Sequence, residues 1–263
     1  MRKIKLIASD LDGTLLLNGA QKLQSQTCEI IERLMERGII FIAASGRQYP
    51  NLLNLFAHIK DKIGYICENG CMSYLNGKMI SQETMDRKLG DEIIQAITER
   101  EGCEVMISGK KTAYIHSKNA DFIKYMQEVV HYYITPIDDI FSVPEEYMKI
   151  SVYEEAGINS ANYWINNFGE RCTVQVSDTI WLDMVPKNVN KSTAFAKILQ
   201  HLNIDAQDCI MFGDNYNDLE ILSMVGCPIV MNSANADIRA HGKYTVDTVE
   251  NALLRILDGD GFE

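Results

Sequence analysis

Short, nearly continuous apolar runs alternate with amphipathic helical segments in the first and last thirds of the chain. Ile4–Ser9 and Ile39–Ala44 are such runs, and between them Ser25–Arg37 carries apolar residues at helical spacing. Cys209–Phe212 and Ile229–Met231 repeat the pattern near the end of the chain. A strand that is apolar on both faces is typical of a parallel sheet covered by helices on both sides. The pattern therefore predicts an open α/β sheet.

The middle of the chain has a different pattern. Predicted helices, such as Asp91–Arg100 and Ala120–Val130, are interleaved with paired strands around Val105 and Tyr114. Paired strands between helices indicate an α+β layer with an antiparallel sheet. We therefore predict that this layer is inserted into the α/β core and divides it in two. The predicted segments are a first core part at residues 1–82, an inserted domain at residues 83–187 and a second core part at residues 188–263.

The charge of the chain restricts its partners. The 36 acidic residues outnumber the 25 lysines and arginines, which gives a formal net charge of −11. A nucleic-acid-binding protein normally has a basic patch, and the sequence contains no such cluster, so we predict no nucleic-acid partner. No stretch approaches the roughly 18 apolar residues of a membrane span, so we predict no membrane partner. An acidic chain can bind a phosphate only if cations or local donors offset its charge, which points to a bound metal.

The cysteines and the N-terminal residues indicate a compartment. The seven cysteines are scattered and odd in number, which favours free thiols in a reducing environment. Residues Met1–Ile7 are basic and then apolar, but the apolar run stops at Ser9-Asp10, which is too early for a secretory signal. We expect a cytoplasmic protein. The sequence is compatible with either a monomer or a homodimer.

The segment Asp10-Leu11-Asp12-Gly13-Thr14 directly follows the first apolar strand. Ligands of open α/β sheets bind at the carboxyl ends of the strands. Gly13 permits a tight turn whose N–H groups can face an anion. A carboxylate at this place can attack phosphorus, and a second acid can protonate the departing alkoxide. The alternative is a solvated turn at a strand end, since Asp and Gly are common turn residues.

Ser45-Gly46-Arg47 directly follows the second strand of the α/β pattern. Its hydroxyl and adjacent N–H groups suit phosphate oxygens, although Ser45 could instead cap a helix. Lys191 directly precedes a predicted helix. Its cation could hold the phosphate and offset the charge of the acidic residues. The alternative interpretation is a lysine whose side chain is solvated.

Gly213–Asp218 follows the strand Cys209–Phe212 and contains two acids and two amides. The side-chain oxygens of such a turn can bind Mg²⁺. The alternative interpretation is an acidic turn at a helix N-terminus, where negative charge complements the helix dipole. All four segments lie at strand ends or at helix starts beside them, so one crevice could gather them.

With these four segments in this order, and a domain inserted between the second and the third, the chain resembles a known group of enzymes. They are the phosphatases of the haloacid dehalogenase superfamily, specifically the Cof-like subfamily IIB with a large C2-type cap. The resemblance spans the whole chain. It implies a Rossmann-like core with a parallel sheet, an inserted α+β cap, Mg²⁺ as cofactor and an aspartyl-phosphate intermediate. Ser45, where threonine is frequent, and Ser192, where glycine is common, depart from the pattern without removing a chemical group.

The resemblance also implies roles for the matching residues. Asp10 is the nucleophile, and Asp12 is the general acid and later the base that activates water. The implied contacts to phosphate or substrate are Leu11, Ser45, Gly46, Lys191 and Asn217. The implied metal ligands are Asp10, Asp12 through its backbone carbonyl, Asp214 and, in support, Asp218. Arg47 and Asp183 are further candidates for contact between cap and substrate, and the alternative for Asp183 is an acid at a strand end or hinge.

The predicted function is Mg²⁺-dependent hydrolysis of a small phosphomonoester, a sugar phosphate or a related metabolite. Asp12 argues against dehalogenation, because a halide leaving group needs no proton. One alternative is phosphoryl transfer to another hydroxyl, as in phosphomutases of the same superfamily. A second is a catalytically silent metabolite-binding protein on the same fold, against which the complete set Asp10, Asp12, Lys191 and Asp214 weighs.

Overall fold

The structure, a computed structural model, describes residues 3–129 and 132–259. Its strands, numbered in chain order, are β1 Leu6–Ser9, β2 Ile40–Ala44, β3 Gly64–Cys67, β4 Met72–Leu75, β5 Lys78–Gln82, β6 Glu104–Ser108, β7 Ala113–Ile115, β8 Ile134–Pro136, β9 Lys149–Tyr153, β10 Cys172–Val176, β11 Trp181–Pro186, β12 Cys209–Gly213, β13 Cys227–Met231 and β14 Tyr244–Val246. Its α-helices are α1 Thr27–Glu36, α2 Tyr49–Leu55, α3 Arg87–Thr98, α4 Ala120–Lys124, α5 Ala161–Phe168, α6 Lys191–Leu202, α7 Leu219–Met224, α8 Ala236–Arg239 and α9 Val249–Asp258.

The first sheet is the α/β core. Its strand order is β14-β13-β12-β1-β2-β3-β4-β5, and every pair from β14 to β3 is parallel. All residues of β1 are buried, as expected for a strand covered on both faces. Because side chains alternate along a strand, Ile7 and Phe41 pack in one apolar cluster, and Leu6 and Ile42 pack in the cluster on the opposite face. The predicted parallel core is confirmed.

An antiparallel hairpin, β4–β5, extends this sheet at one edge and was not predicted. Its turn is Asn76-Gly77, with φ of 49° and 72°. Two successive residues with positive φ are typical of a tight hairpin turn that follows the twist of the strands.

The second sheet is built from the middle of the chain. Its strand order is β10-β11-β9-β6-β7-β8, antiparallel except for the pair β7–β8. Helices α3 and α5 cover one face, where Ile93, Ile94 and Trp164 are fully buried. This layer is the inserted α+β domain of the predicted fold class, and we call it the cap. The boundaries at residues 82/83 and 187/188 stay predictions.

One helix of the cap differs from its prediction. The segment predicted as a helix over Ala120–Val130 is α-helical only to Lys124 and continues as a π-helical turn, Tyr125–Val129. Val130 lies outside the described residues. Within the described ranges, no helix is both long and apolar enough to cross a membrane.

Candidate active site

Three of the predicted segments meet at one edge of the core sheet. Asp10 follows β1, Ser45 follows β2 and Asp214 follows β12, and β1 lies between the other two strands in parallel register. The backbone N–H of Asp10 donates to the carbonyl of Phe212 at 2.9 Å, which continues the sheet pairing for one residue beyond the strand. The fold therefore brings the predicted nucleophile next to the predicted metal turn.

Lys191 is the buried cation of this edge. It is the first residue of α6, whose start is fixed by a capping box between Asn190 and Thr193. Its Nζ donates to Asp10 Oδ1 at 2.6 Å and to Asp218 Oδ1 at 2.8 Å. Burial acts to lower the pKa of Lys191, but the charges of Asp10 and Asp218 outweigh it and raise that pKa, so the lysine is a fixed cation.

Asp214 is held from two sides. Thr14, for which the sequence predicted no role of its own, donates its hydroxyl to Asp214 Oδ1 at 2.6 Å. Gly13 has φ +86°, and a Cβ at this position would lie 2.1 Å from Asp214 Oδ2. The absence of a side chain at Gly13 is therefore what lets the Asp10–Thr14 turn approach the Asp214 carboxylate.

Asp218 ties the metal turn together. It is fully buried, and its Oδ1 accepts from Lys191. Its Oδ2 accepts from the backbone N–H groups of Asp214 and Asn215, at 3.1 Å and 3.3 Å. Both carboxylate oxygens therefore have partners, which fits the predicted supporting role better than direct ligation.

The donor set suits a hard divalent cation. Asp10, Asp214 and Asp218 each offer a carboxylate oxygen, and these three oxygens lie within 4.8 Å of one another. Burial, followed by the charge of Asp218, raises the pKa of Asp10, and burial also raises the pKa of Asp214. Three acids around one lysine leave negative charge in excess, and carboxylate oxygens are the ligands that Mg²⁺ prefers. The residues present therefore fit a bound divalent metal.

The predicted acid Asp12 lies apart from this cluster. Its carboxylate is 56% exposed and makes a two-pronged ion pair with Arg47, with Nε–Oδ2 at 2.9 Å and Nη2–Oδ1 at 2.5 Å. The Arg47 backbone N–H donates to Ser45 Oγ at 3.1 Å, and its Nη2 also donates to Gln21 Oε1 at 3.2 Å. Arg47 therefore positions Asp12 and joins the first two motifs.

Two predicted phosphate contacts differ in what their side chains can do. The Leu11 side chain is fully buried in the apolar core, so a contact with phosphate would involve its backbone. Asn217 lines the same cavity as Asp10, and its buried Oδ1 has no hydrogen-bond partner among the described residues. A buried amide oxygen without a partner is costly, and a donor on a ligand would satisfy it. A phosphate oxygen, itself an acceptor, would instead accept from the amide Nδ2.

A second buried ion pair joins the cap to the core, and the sequence did not predict it. Lys149, the first residue of β9, donates to Glu68 Oε2 at 2.8 Å and to the carbonyl of Gly46 at 2.7 Å. Both charged side chains are almost fully buried. Burial acts to lower the pKa of Lys149, but the charges of Asp183 and Glu68 outweigh it. A lysine at the start of an otherwise apolar strand was the available signal, since buried charges are normally paired.

Asp183, in the same network, accepts hydrogen bonds from three residues. It accepts from Ser151 at 2.5 Å, from Ser177 at 2.5 Å and from Asn69 Nδ2 at 2.7 Å, and it lies 3.5 Å from Lys149 Nζ. These bonds engage both of its oxygens. Its predicted contact with substrate stays a prediction; what the geometry supports directly is a role in positioning Asn69.

The chain is similar to known proteins in both sequence and fold. The sequence profile of a family described as haloacid dehalogenase-like hydrolase matches residues 7–256. The chain belongs to this family. The predicted family is confirmed, and with it an enzyme of the hydrolase class.

Relatives of the chain are named as phosphatases. One is the 5-amino-6-(5-phospho-D-ribitylamino)uracil phosphatase YbjI of Escherichia coli (strain K12), which is 24% identical over 249 residues, covering 92% of this chain and 90% of its own. A haloacid dehalogenase-like hydrolase from B. subtilis has a TM-score of 0.85 at 18% identity, over 97% of this chain and 99% of its own. The subclass IIB sugar phosphatase BT4131 has a TM-score of 0.82 at 20% identity, over 96% of this chain and 98% of its own. The two structures show that nearly all of the chain, cap included, shares the fold of these hydrolases.

A cavity of about 200 Å³ lies between the core and the cap of this hydrolase. Its core wall includes Asp10, Asp12, Ser45, Gly46, Arg47 and Asn217, and its cap wall includes Met106, Tyr125, Tyr132, Lys149, Trp181 and Asp183. The predicted nucleophile, the predicted acid and three of the predicted phosphate contacts, Ser45, Gly46 and Asn217, thus line a space that the cap covers in part, whereas Leu11 and Lys191 do not line it. A small-molecule pocket typically measures about 300–1,000 Å³, so this cavity suits a small ligand.

Proposed function

We propose that this hydrolase is a Mg²⁺-dependent phosphatase of small phosphomonoesters that works through an aspartyl-phosphate on Asp10. The observation that carries the proposal is the arrangement around Asp10. A buried carboxylate at a strand end lies 2.6 Å from the ammonium of Lys191 and beside two further acids, and it lines a cavity between core and cap. This is the charge arrangement that a phosphoryl group and a divalent cation would balance.

The residues of the site divide the reaction between them. Asp12 must first take a proton from solvent and release one of its oxygens from Arg47. An oxygen of Asp10 then attacks phosphorus, and the bond between phosphorus and the leaving oxygen breaks as Asp12 gives that oxygen its proton. Water then attacks the phosphorus of the aspartyl-phosphate and gives its proton to Asp12, which releases inorganic phosphate, returns Asp10 to its carboxylate and returns Asp12 to its protonated form. Lys191 offsets the charge that would otherwise repel the phosphoryl oxygens from Asp10.

The metal would be held by Asp10 and Asp214, with Asp218 keeping the turn in place and the backbone carbonyl of Asp12 as the further ligand. When bound, Mg²⁺ neutralises phosphoryl charge and orients the phosphate. Ser45 and Asn217 are the proposed contacts to phosphate oxygens, and Gly46 adds backbone contact. Arg47 holds Asp12 at the edge of the cavity, where a leaving group would depart.

The relatives support a small substrate. They include proteins named as a ribitylaminouracil phosphatase and a sugar phosphatase. Sugar phosphates or related metabolites are therefore the first candidates for this chain. We also propose a reducing compartment such as the cytoplasm, because all seven cysteines are free.

The test is phosphate release from a broad panel of phosphoesters with Mg²⁺, for the natural chain and for Asp10→Asn. We expect turnover by the natural chain and none by the variant, with both proteins folded by circular dichroism. The matched control is Asp61→Asn, a change outside the cavity, which should leave turnover intact. Activity retained in Asp10→Asn would refute the covalent route, and no release from any ester would favour a silent binding protein. Appearance of a phosphorylated product in place of free phosphate would favour a phosphomutase.

A further inference from the structure

The polar groups of the cavity wall are mostly engaged with one another. Ser151 and Ser177 both donate to Asp183, and Lys149 is bound by Glu68 and Gly46. On the rim, Asp178 Oδ1 accepts from the backbone N–H and hydroxyl of Thr179, and Gln21 Oε1 accepts from Arg47. A leaving group rich in hydroxyls would therefore meet polar groups that mostly have a partner within the protein already.

The rest of the cap wall is apolar and aromatic. Met106, Tyr125, Val129, Tyr132 and Trp181 line the cavity. The Trp181 ring packs on Tyr153 at 5.0 Å between centroids, and Tyr125 packs on the same Tyr153 at 5.8 Å. This packing fixes the wall in place before a ligand binds. A flat, apolar face of a ligand is what such a surface accommodates.

Two polar atoms of the wall have no hydrogen-bond partner among the described residues, Asn217 Oδ1 and Asn69 Oδ1. Asn217 is already a proposed contact to phosphate, which leaves Asn69 for the leaving group. The Asn69 side chain is 1% exposed, and its Oδ1 has no hydrogen-bond donor within the part of the chain that the structure describes. Its orientation is determined, because Nδ2 donates to the Asp183 carboxylate at 2.7 Å and a carboxylate can only accept. A Cβ on Gly46, another cavity residue, would lie 2.9 Å from this Oδ1. Asn69 therefore presents a buried acceptor beside the predicted phosphate loop.

We propose that the leaving group is a planar, largely apolar ring that carries one hydrogen-bond donor, and that Asn69 Oδ1 accepts from this donor. The inference rests on the proposed phosphatase function and, within its substrate class of small phosphomonoesters, places ring-bearing metabolites ahead of the sugar phosphates. The ring lies against Tyr125 and Trp181, and the donor satisfies the acceptor that the fold leaves unpaired. Asp183 acts through Asn69 as a positioning residue, because it fixes which end of the amide faces the ligand. Ring-bearing phosphomonoesters are thus preferred over hexose phosphates.

The test compares matched substrates with Mg²⁺ present. They are the ortho, meta and para hydroxyphenylethyl phosphates, their methoxy counterparts, phenylethyl phosphate and a set of hexose phosphates. We expect kcat/KM for the best hydroxyl compound to exceed that of its methoxy counterpart, and of every hexose phosphate, by about tenfold or more, the factor of one neutral hydrogen bond. The inference would be overturned if hexose phosphates were turned over as well as the best hydroxyl compound, or if hydroxyl and methoxy compounds had equal kcat/KM. Either result would leave the proposed phosphatase function intact. No phosphate from any ester would overturn the proposed function itself, and this inference with it.

Two variants separate recognition from folding. Asn69→Gly removes the acceptor at φ +54° without straining the backbone, and Asn76→Gly is the matched control at φ +49° in an exposed hairpin turn. We expect the preference for hydroxyl over methoxy to fall to about one in Asn69→Gly and to persist in Asn76→Gly. Trp181→Leu should lower the ratio of phenylethyl to hexose phosphate turnover by roughly fivefold. Unchanged ratios in Asn69→Gly and Trp181→Leu would contradict the assignment, whatever their stability.

Discussion

Gly13→Ala is the substitution whose consequence the structure specifies most closely. At this position a Cβ would lie 2.1 Å from Asp214 Oδ2 and 2.7 Å from Asp214 Cγ. An ordinary contact begins at 3.4 Å, so the carboxylate must move by about 1.3 Å if the backbone stays in place. Because Thr14 binds the same carboxylate, that shift also breaks the bond at Asp214 Oδ1.

The substitution has two effects that can be measured apart. Alanine in the left-handed region costs about 1–2 kcal/mol of stability wherever it is placed. Displacement of Asp214 by about 1 Å adds a loss of activity on the order of 10²-fold, the usual consequence of misplacing a catalytic group by that distance. Gly38→Ala is the matched control, since Gly38 has φ +80° and nothing within 4 Å of the added Cβ. It shares the backbone cost without the collision.

The assay is phosphate release with Mg²⁺, together with urea unfolding of both variants. We expect Gly38→Ala to lose stability and keep kcat/KM within about twofold, while Gly13→Ala loses roughly 10²-fold in kcat/KM. An activity of Gly13→Ala within threefold of that of Gly38→Ala would refute the claim that this turn positions Asp214. Equal activity losses in the two variants would also refute it, because backbone strain alone would then explain the effect.

Three further perturbations test other parts of the site. Lys191→Met should abolish turnover and lower the free energy of unfolding by about 3–5 kcal/mol, because the buried carboxylates of Asp10 and Asp218 lose their cation. The control is Lys197→Met, a partly exposed lysine of the same helix, which should lower the free energy of unfolding by less than about 1 kcal/mol. Urea titration measures both. Removal of divalent metal with a chelator should stop phosphate release. Mg²⁺ at about 100 times its dissociation constant should raise the free energy of unfolding by about 2.7 kcal/mol. Thermal melts should show this gain for the natural chain and not for Asp214→Asn. Lys149→Met and Glu68→Gln should each destabilise the chain, and the double variant should fall short of their sum by about 1–3 kcal/mol; simple additivity would show that the pair does not couple cap and core.

Much of the fold followed from local patterns in the sequence. The apolar runs that became β1, β2 and β12 are buried on both faces, and burial of both faces is what a continuous apolar run encodes. The convergence of Asp10, Ser45 and Asp214 followed from their places at the ends of parallel strands. The hairpin β4–β5 was missed although its Asn76-Gly77 turn is a strong hairpin signal, because the strands flanking it lack a clear alternation.

The cap network could not be read in the same way. Lys149, Glu68 and Asp183 come from three distant segments, and no periodicity relates charged residues that meet only through tertiary contacts. The ion pair between Asp12 and Arg47 has the same origin, since the two residues are brought together by adjacent strand ends. Sequence motifs thus pointed to the proposed reacting groups, while the contacts that position them became visible only in three dimensions.

The central claim is that Asp10 forms a covalent phosphoryl intermediate, and trapping that intermediate tests it most directly. The chain would be mixed with labelled substrate and Mg²⁺, quenched in acid within one turnover, reduced with borohydride and analysed by peptide mass spectrometry. We expect the labelled phosphoryl group on the protein before reduction. After reduction, the peptide that contains Asp10 should carry homoserine at that position. Full turnover with no label on the protein, or label on another residue, would contradict it.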